Sequence, residues 1–284
     1  MDRCCYILTL SCPDDFGIVA AVSGCLSKLG AFIIESSQFG DDATEQFFMR
    51  LQFSLERDFP QQRMYTALKE VSDRFGMAAE VRPMDFKPKT LIMVSKESHC
   101  LNDILHRAFA KTLPIEVKAI VSNHQSLKAM AAWYNVPFHH IPVDDSIKLM
   151  AEDTLRALLK QNGIELVILA RYMQVLSPKL CEELKGRAIN IHHSFLPSFK
   201  GARPYHQAFM RGVKVIGATA HYVTPDLDEG PIIEQKTIRV SHDHSPERLV
   251  AMGRDVECTV LSRAIGLHAE ARVLLNGNKT VVFA

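Results

Sequence analysis

The chain lacks an excess of charge of either sign, because 33 Lys and Arg oppose 32 Asp and Glu and leave a formal net charge of +1. This balance excludes the basic footprint with which proteins bind DNA or RNA, so we expect no nucleic-acid partner. No apolar run approaches the roughly 18 residues of a membrane span. The opening stretch MDRCCYILTLSCPDD also lacks the pattern of a signal peptide. We therefore expect a cytoplasmic protein with no membrane partner.

Cysteine occurs seven times, but the number is odd and no pair has CxxC spacing. These absences exclude a disulfide framework and a cysteine-based zinc site. The twelve histidines include no HExxH pattern, which argues against a helix-borne zinc site. We expect neither a metal nor a cofactor. At 284 residues, with 47% hydrophobic and 23% charged residues, the chain has the size and composition of a globular protein of two domains.

The first 84 residues alternate strand and helix signals in the order βαββαβ. This is the ferredoxin-like plan of a small α/β domain. Asp14 or Asp15 stands where it could cap the first helix, which we expect to end near Gly30. We predict a first domain over residues 1–84.

A short linker at residues 85–89, rich in proline and lysine, separates this domain from a second one over residues 90–284. Apolar strands there alternate with helices, which indicates a Rossmann-like, mostly parallel sheet covered on both faces. Ligands in such folds bind beyond the carboxyl ends of the strands. A long helix and a final strand close the chain. The predicted strands are LIMVS (91–95), VKAIVS (117–122), VPFHHIPV (136–143) and ELVILA (165–170).

The stretch NIHHSFLP at 190–197 concentrates polar side chains at the end of an apolar strand. Residues two apart on a strand point to the same side, so Asn190 and His192 share a face. The amide can donate to a developing oxyanion, and the imidazole can carry protons near neutral pH. The alternative is that both residues only tie the strand to its loop through hydrogen bonds.

Two further stretches have a similar setting. The strand signal within GATAHYVTPDLDEGPII (217–233) runs into a turn that holds Asp226, Asp228 and Glu229, and the sequence alone does not choose among these acids. In ILARYMQVLSP (168–178) a strand ends in the loop RYMQVL, whose large side chains could line a slot for a flat ligand. Alternatively, the apolar residues of this loop belong to the core.

Together these three segments resemble the formyltransferase and hydrolase family that uses 10-formyltetrahydrofolate. NIHHSFLPSFKG is similar to its Asn-x-His-x-Ser-x-Leu-Pro signature, and HYVTPDLDEGPII to its His-x-Val-Thr, then Asp-x-Gly-Pro signature. The resemblance implies that Asn190 is the oxyanion donor, His192 the proton carrier and Asp228 the third catalytic group. It also implies a folate site and a site rim. The folate site comprises Met173, Gln174, Val175, Leu176, Pro225, Asp226 and Leu227, and the rim comprises His193, His221 and Lys96.

The N-terminal stretch CPDDFGIVAAVSGCLSKLGAFIIESSQ resembles an ACT domain, a small regulatory module. This resemblance implies control by a small ligand such as an amino acid. It also implies a homo-oligomer built from dimers, either a dimer or a tetramer. An ACT domain joined to this catalytic domain is similar to the branch of the family that hydrolyses the formyl group and does not transfer it.

The segment MVSKESHCLND (93–103) favours hydrolysis over transfer. In the glycinamide formyltransferase branch, a glycine-rich loop at this position cradles the acceptor's phosphate. Here the segment has no glycine, and side chains with a Cβ keep backbone and phosphate apart. We therefore predict hydrolysis of 10-formyltetrahydrofolate to formate and tetrahydrofolate, which supplies one-carbon and purine metabolism. The alternatives are a formyltransferase with a small amine acceptor, and a non-catalytic regulator that binds folate or an amino acid.

Overall fold

In the computed structural model of the protein, which describes residues 3–144, 146–197 and 204–284, the chain forms two compact units. The first unit comprises residues 1–86 and 270–284, and the second comprises residues 87–269. No helix of the described residues is long and apolar enough to cross a membrane.

The first unit contains an antiparallel sheet of four strands in the order β2-β3-β1-β4, with two helices. Alternating side chains of the central strands and the apolar stripes of both helices form its core, in which Phe53, Met64 and Leu26 are fully buried. The elements are β1 (Arg3–Pro13), α1 (Ile18–Lys28), β2 (Phe32–Asp41), β3 (Gln46–Glu56), α2 (Gln61–Phe75) and β4 (Ala78–Pro83).

The expected acidic cap of α1 is wrong. The helix starts at Ile18, so its N-cap position falls on Gly17, which has a φ of 86° and supplies no side-chain cap. Asp15 instead accepts a hydrogen bond from the backbone N–H of Phe16 at 2.7 Å. The acids lie too far ahead of the first helical turn to reach its free N–H groups.

The second unit contains a seven-stranded sheet in the order β11-β10-β9-β8-β5-β6-β7. The five strands from β9 to β7 are parallel, and β10 and β11 continue the sheet antiparallel. This architecture confirms the predicted α/β class with a mostly parallel sheet. The strands are β5 (Lys89–Val94), β6 (Glu116–Ser122), β7 (Phe138–His140), β8 (Leu166–Leu169), β9 (Ala188–His192), β10 (Val215–Tyr222) and β11 (Ile232–Arg239).

The helices of the second unit alternate with these strands along the chain, except for the last helix, which follows the final strand of the unit. Ser177 begins one of them, because its hydroxyl accepts from the N–H of Leu180 and Pro178 takes the first helical position. The helices are α3 (His99–Phe109), α4 (Lys128–Trp133), α5 (Lys148–Gln161), α6 (Pro178–Glu183), α7 (Pro204–Met210) and α8 (Pro246–Ala269).

The last residues form a hairpin of β12 (Val273–Asn276) and β13 (Lys279–Val282) that belongs to the first unit. We expected the second domain to run to residue 284, but this segment clusters with residues 1–86. The reason is a set of polar contacts: Arg50, whose side chain is buried, donates to the carbonyl of Glu270 at 3.1 Å, and Asn276 donates to Asp41 at 2.7 Å.

Candidate active site

A cavity of about 630 Å³ opens in the second unit, beyond the carboxyl ends of β8 and β9. Asn190 and His192 both line it, as expected for residues two apart at the end of β9. The turn between β10 and β11 brings Asp228 to the same place. The structure therefore brings the three predicted catalytic residues together, although they come from two separate strand ends.

Asp228 and His192 form a close pair, with 3.1 Å between the carboxylate oxygen Oδ2 and the imidazole nitrogen Nδ1. Both side chains are largely buried. Burial alone would raise the pKa of Asp228, but its hydrogen-bonded contact with His192 outweighs burial and holds that pKa well below its usual range. The carboxylate is therefore ionised at neutral pH and accepts the Nδ1 proton.

This pairing fixes which ring nitrogen of His192 carries the proton. With its proton on Nδ1, the neutral ring of His192 presents an unprotonated Nε2. That nitrogen is buried and has no hydrogen-bond partner among the described residues. A buried polar atom without a partner is costly, and here the atom belongs to a residue that lines the cavity. His192 can thus accept a proton from a molecule bound in the cavity.

His221 is buried behind Asn190 and orients its amide. The Nδ1 of His221 is 2.8 Å from the carbonyl oxygen of Tyr222. Because a carbonyl can only accept, this nitrogen carries the proton. Its Nε2 then accepts from the Asn190 amide at 3.3 Å. One amide N–H is held in this way, and an amide has a second N–H that can donate to a bound oxygen atom.

Two loops line the part of the cavity predicted to bind folate. All seven predicted residues, from 173–176 and 225–227, face it, and Met173, Val175 and Leu227 are each more than half exposed. The loop after β8 is anchored at its start, where the Met173 N–H donates to the Ser95 hydroxyl at 3.0 Å. Exposed apolar side chains on an anchored loop suit a flat, partly apolar ligand.

Backbone conformation at the two loops is unusual. Arg171 and Asp228 have φ values of 62° and 57°, in the left-handed region that side chains with a Cβ seldom adopt. Aspartate tolerates this region better than most residues, which suits it to the turn at 228. Such strained residues cluster at functional sites, and both of these line the cavity.

The rim residues differ in their placement. His193 lines the cavity beside His192, with its ring stacked on that of His192 at 5.1 Å between centroids. Lys96 is exposed and is not among the described residues that line the cavity. Its neighbours Glu97 and His99 line it instead.

Sequence reasoning missed a second group of polar residues in the same cavity, formed by Arg171, Tyr205 and Glu257 together with His99. Glu257 is 1% exposed and lies on α8 among buried apolar residues. One signal could have found it: its position on the apolar face of an amphipathic helix, where an unpaired acid is rare.

Comparison with known proteins decides the family. Residues 88–265 match the family described as "Formyl transferase". A formyltetrahydrofolate deformylase of Corynebacterium sp. (strain P-1) is 50% identical over 98% of this chain and 97% of its own length. The chain belongs to the formyltetrahydrofolate deformylase family. The family predicted from the two signatures is confirmed, and with it the predicted hydrolase class.

Solved structures agree with this membership. The crystal structure of a formyltetrahydrofolate deformylase from Burkholderia mallei is 49% identical, with a TM-score of 0.95 over 99% of this chain and 100% of that one. A glycinamide ribonucleotide transformylase from Symbiobacterium toebii is 28% identical, with a TM-score of 0.65, and covers 70% of this chain and 95% of its own. This member of the formyltetrahydrofolate deformylase family therefore shares its formyltransferase-type fold with a transferase. It also has residues that the transferase does not cover.

Proposed function

We propose that the chain hydrolyses 10-formyltetrahydrofolate to formate and tetrahydrofolate, with Asn190, His192 and Asp228 as the catalytic residues. The observation that carries this proposal is the pair of Asp228 and His192, which leaves the Nε2 of His192 buried and unpartnered in the cavity. A base held in this way can activate water. The identity of the substrate is inferred from the family to which the chain belongs.

The proposed reaction starts with the formyl group beside Asn190 and a water molecule at His192. His192 removes a proton as the water oxygen bonds to the formyl carbon, and Asp228 stabilises the imidazolium that forms. The Asn190 amide stabilises the oxyanion. The imidazolium then gives its proton to N10, the C–N10 bond breaks, and formate and tetrahydrofolate leave. No step in this mechanism requires a metal or a cofactor.

The two loops at 173–176 and 225–227 would hold the pterin ring. The loop after β8 contributes apolar side chains to the cavity, and the turn before Asp228 contributes Pro225 and Leu227. This arrangement would place the ring next to the catalytic trio, because Asp228 itself ends the second loop.

Water is the proposed nucleophile because side chains of the segment after β5 occupy the place where the phosphate of an acceptor would bind. Glu97 pairs with Arg254 at 2.6 Å, and His99 contacts Glu257 at 2.8 Å. Polar contacts between side chains therefore take the place of a glycine-lined cradle for an acceptor's phosphate.

We propose that the first unit is an ACT-like regulatory module. Its sheet order β2-β3-β1-β4 supports this, and so do the exposed apolar residues Phe32 and Ile34 on the edge strand β2, which suit pairing with a second copy. The proposed assembly is a homo-oligomer and the proposed effector an amino acid. Calorimetric titration with the common amino acids, and sedimentation of the purified chain, test these two points.

The activity is tested by incubating the purified protein with 10-formyltetrahydrofolate alone and measuring formate. Hydrolysis predicts formate and tetrahydrofolate in equal amounts without any added amine. Formate that appears only after a small amine is supplied would instead indicate a transferase. Folate binding without turnover would indicate a regulator with an inactive site.

A further inference from the structure

One end of the cavity is left over once the folate loops and the catalytic trio are accounted for. It is lined by side chains from α3, α7, α8 and the ends of β8 and β9. If folate occupies the loops, a nucleophile must reach the formyl carbon from this end. The residues that shape it are His99, Arg171, His193, Tyr205 and Glu257.

Glu257 is the anchor of this end. Its two carboxylate oxygens contact different partners: the Tyr205 hydroxyl donates to one at 2.7 Å, and His99 Nε2 lies 2.8 Å from the other. Arg171 Nε lies 3.5 Å away. Burial would raise the pKa of Glu257, but the contacts to His99 and Arg171 hold it below its usual value. A buried carboxylate with this set of partners is rigid.

His193 is fixed by that anchor. A guanidinium nitrogen of Arg171 donates to His193 Nδ1, and since arginine is only a donor, Nδ1 must be the accepting nitrogen. The ring of His193 is therefore neutral. It packs against the ring of His192, at 5.1 Å between centroids, and against the ring of Tyr205, at 6.2 Å. Burial and the charge of Arg171 lower its pKa to about 4, which agrees with the neutral form.

We infer that His193 is a specificity-determining residue, whose clamped ring fills the space beside His192 from which a nucleophile approaches and so admits water but excludes larger nucleophiles. This inference rests on the proposed hydrolysis at Asn190, His192 and Asp228. It gives a second reason why water is the nucleophile: the ring of His193 limits the space beside the base, His192.

The excluded reaction is attack by an amine on the same formyl carbon. The amine nitrogen would bond to carbon, lose a proton to His192, and receive the formyl group as the C–N10 bond breaks and N10 takes the proton. Hydroxylamine is a small probe of this reaction, because it has two heavy atoms where water has one and its product, formhydroxamate, is measured apart from formate.

The test compares His193→Ala with His193→Phe. Both remove the imidazole nitrogens, but only alanine opens space. With 10-formyltetrahydrofolate and a fixed concentration of hydroxylamine, the ratio of formhydroxamate to formate is measured in each enzyme, and the background measured with Asp228→Asn is subtracted. We expect the ratio to rise at least about tenfold in His193→Ala. This is the smallest change in discrimination that is typical when the volume of a binding site changes by one small group. In His193→Phe it should stay within about twofold of the unmodified ratio, well below that limit.

A ratio is insensitive to partial loss of folded enzyme, which lowers both products together. His193→Val serves as a second truncation if the alanine variant does not fold, with the same direction expected. The matched control is His140→Phe, in the other histidine pair, which lies exposed on β7. It should change neither product.

Two results would overturn this inference and leave the proposed hydrolysis standing. One is an unchanged ratio in the truncated variants, and the other is a rise in His193→Phe as large as that in His193→Ala. If the unmodified chain released no formate from 10-formyltetrahydrofolate, the proposed function would fail and this inference with it.

Discussion

At the scale of single residues, the site depends on how hydrogen bonds assign protons. A carbonyl fixes the proton of His221, a carboxylate fixes that of His192, and a guanidinium fixes that of His193. Each of these partners can play only one role, so the three imidazoles carry their protons on defined nitrogens. Only His192 is left with a free accepting nitrogen among these buried rings.

Asp228→Asn tests this assignment. The amide keeps the size of the carboxylate, so we expect a normal circular dichroism spectrum. The imidazolium formed during the reaction loses its counter-charge, so formate release should fall by at least about 10²-fold, as when a general base is disabled. Retention of more than about a tenth of the activity would remove Asp228 from the mechanism.

The pH dependence of stability reports on His193. Its pKa is about 4 in the folded chain and about 6.5 when unfolded, so between these values the unfolded chain binds more protons. The free energy of unfolding should therefore rise with pH across this window. The contribution of His193 to it is lost as the pH falls from 6.5 towards 4.

Urea unfolding at pH 4.5 and pH 7 measures this effect. In His193→Phe the difference between the two pH values should be smaller than in the unmodified chain, by up to about 2 kcal/mol. An identical difference in both proteins would show that this histidine is not buried in its neutral form.

At the scale of elements, the turn between β10 and β11 depends on a close backbone approach at Gly230. A Cβ at this position would lie 1.7 Å from the carbonyl oxygen of Tyr222 and 3.0 Å from the Nδ1 of His221. Only glycine allows the turn to close over the end of β10. The turn that carries Asp228 is therefore shaped by a residue that has no side chain.

Gly230→Ala should force this turn away from β10. We expect a loss of about 1–3 kcal/mol in the free energy of unfolding, as for overpacking elsewhere, and a fall in kcat because Asp228 moves from His192. Thermal unfolding and formate release measure the two effects. Gly266→Ala on α8 is the control, since its Cβ would meet Leu113 at an ordinary 3.8 Å. It should leave formate release unchanged and raise the free energy of unfolding by about 0.5–1 kcal/mol, because alanine favours a helix interior over glycine.

The sequence could predict most elements, and it could not predict the group around Glu257. Periodicity finds β9 and places Asn190 and His192 on one face, because that relation is local. The contacts of Glu257 join α8 to residues 52 and 158 positions away along the chain. Such pairs are set by how helices pack on the sheet, and no local pattern encodes them. The family signature, and not the spacing of acids, singled out Asp228.

At the scale of the whole molecule, the chain passes from the first unit to the second and back again. The return segment, residues 270–284, supplies the carbonyl that receives the buried guanidinium of Arg50. Glu35 also contacts Arg50, at 3.2 Å. A buried arginine that loses one of its acceptors costs about 1–3 kcal/mol or more.

Deletion of residues 270–284 should therefore destabilise the first unit selectively. We expect faster hydrogen exchange in β1 and β3, and unchanged protection in β5 and β8 of the second unit. Mass spectrometry of peptides from both units measures this. Asn278→Ala, at an exposed position of the same hairpin, should leave exchange in both units as it is. Equal loss of protection in both units would contradict the division.

The return of the chain also sets an order of synthesis. About 180 residues of the second unit are translated between the two parts of the first, which takes roughly 10 to 40 seconds at an elongation rate of about 5–20 residues per second. During that interval the first unit lacks its last hairpin, while all strands of the larger sheet are translated. A nascent chain stalled before residue 270 should thus carry a complete second unit and an incomplete first unit.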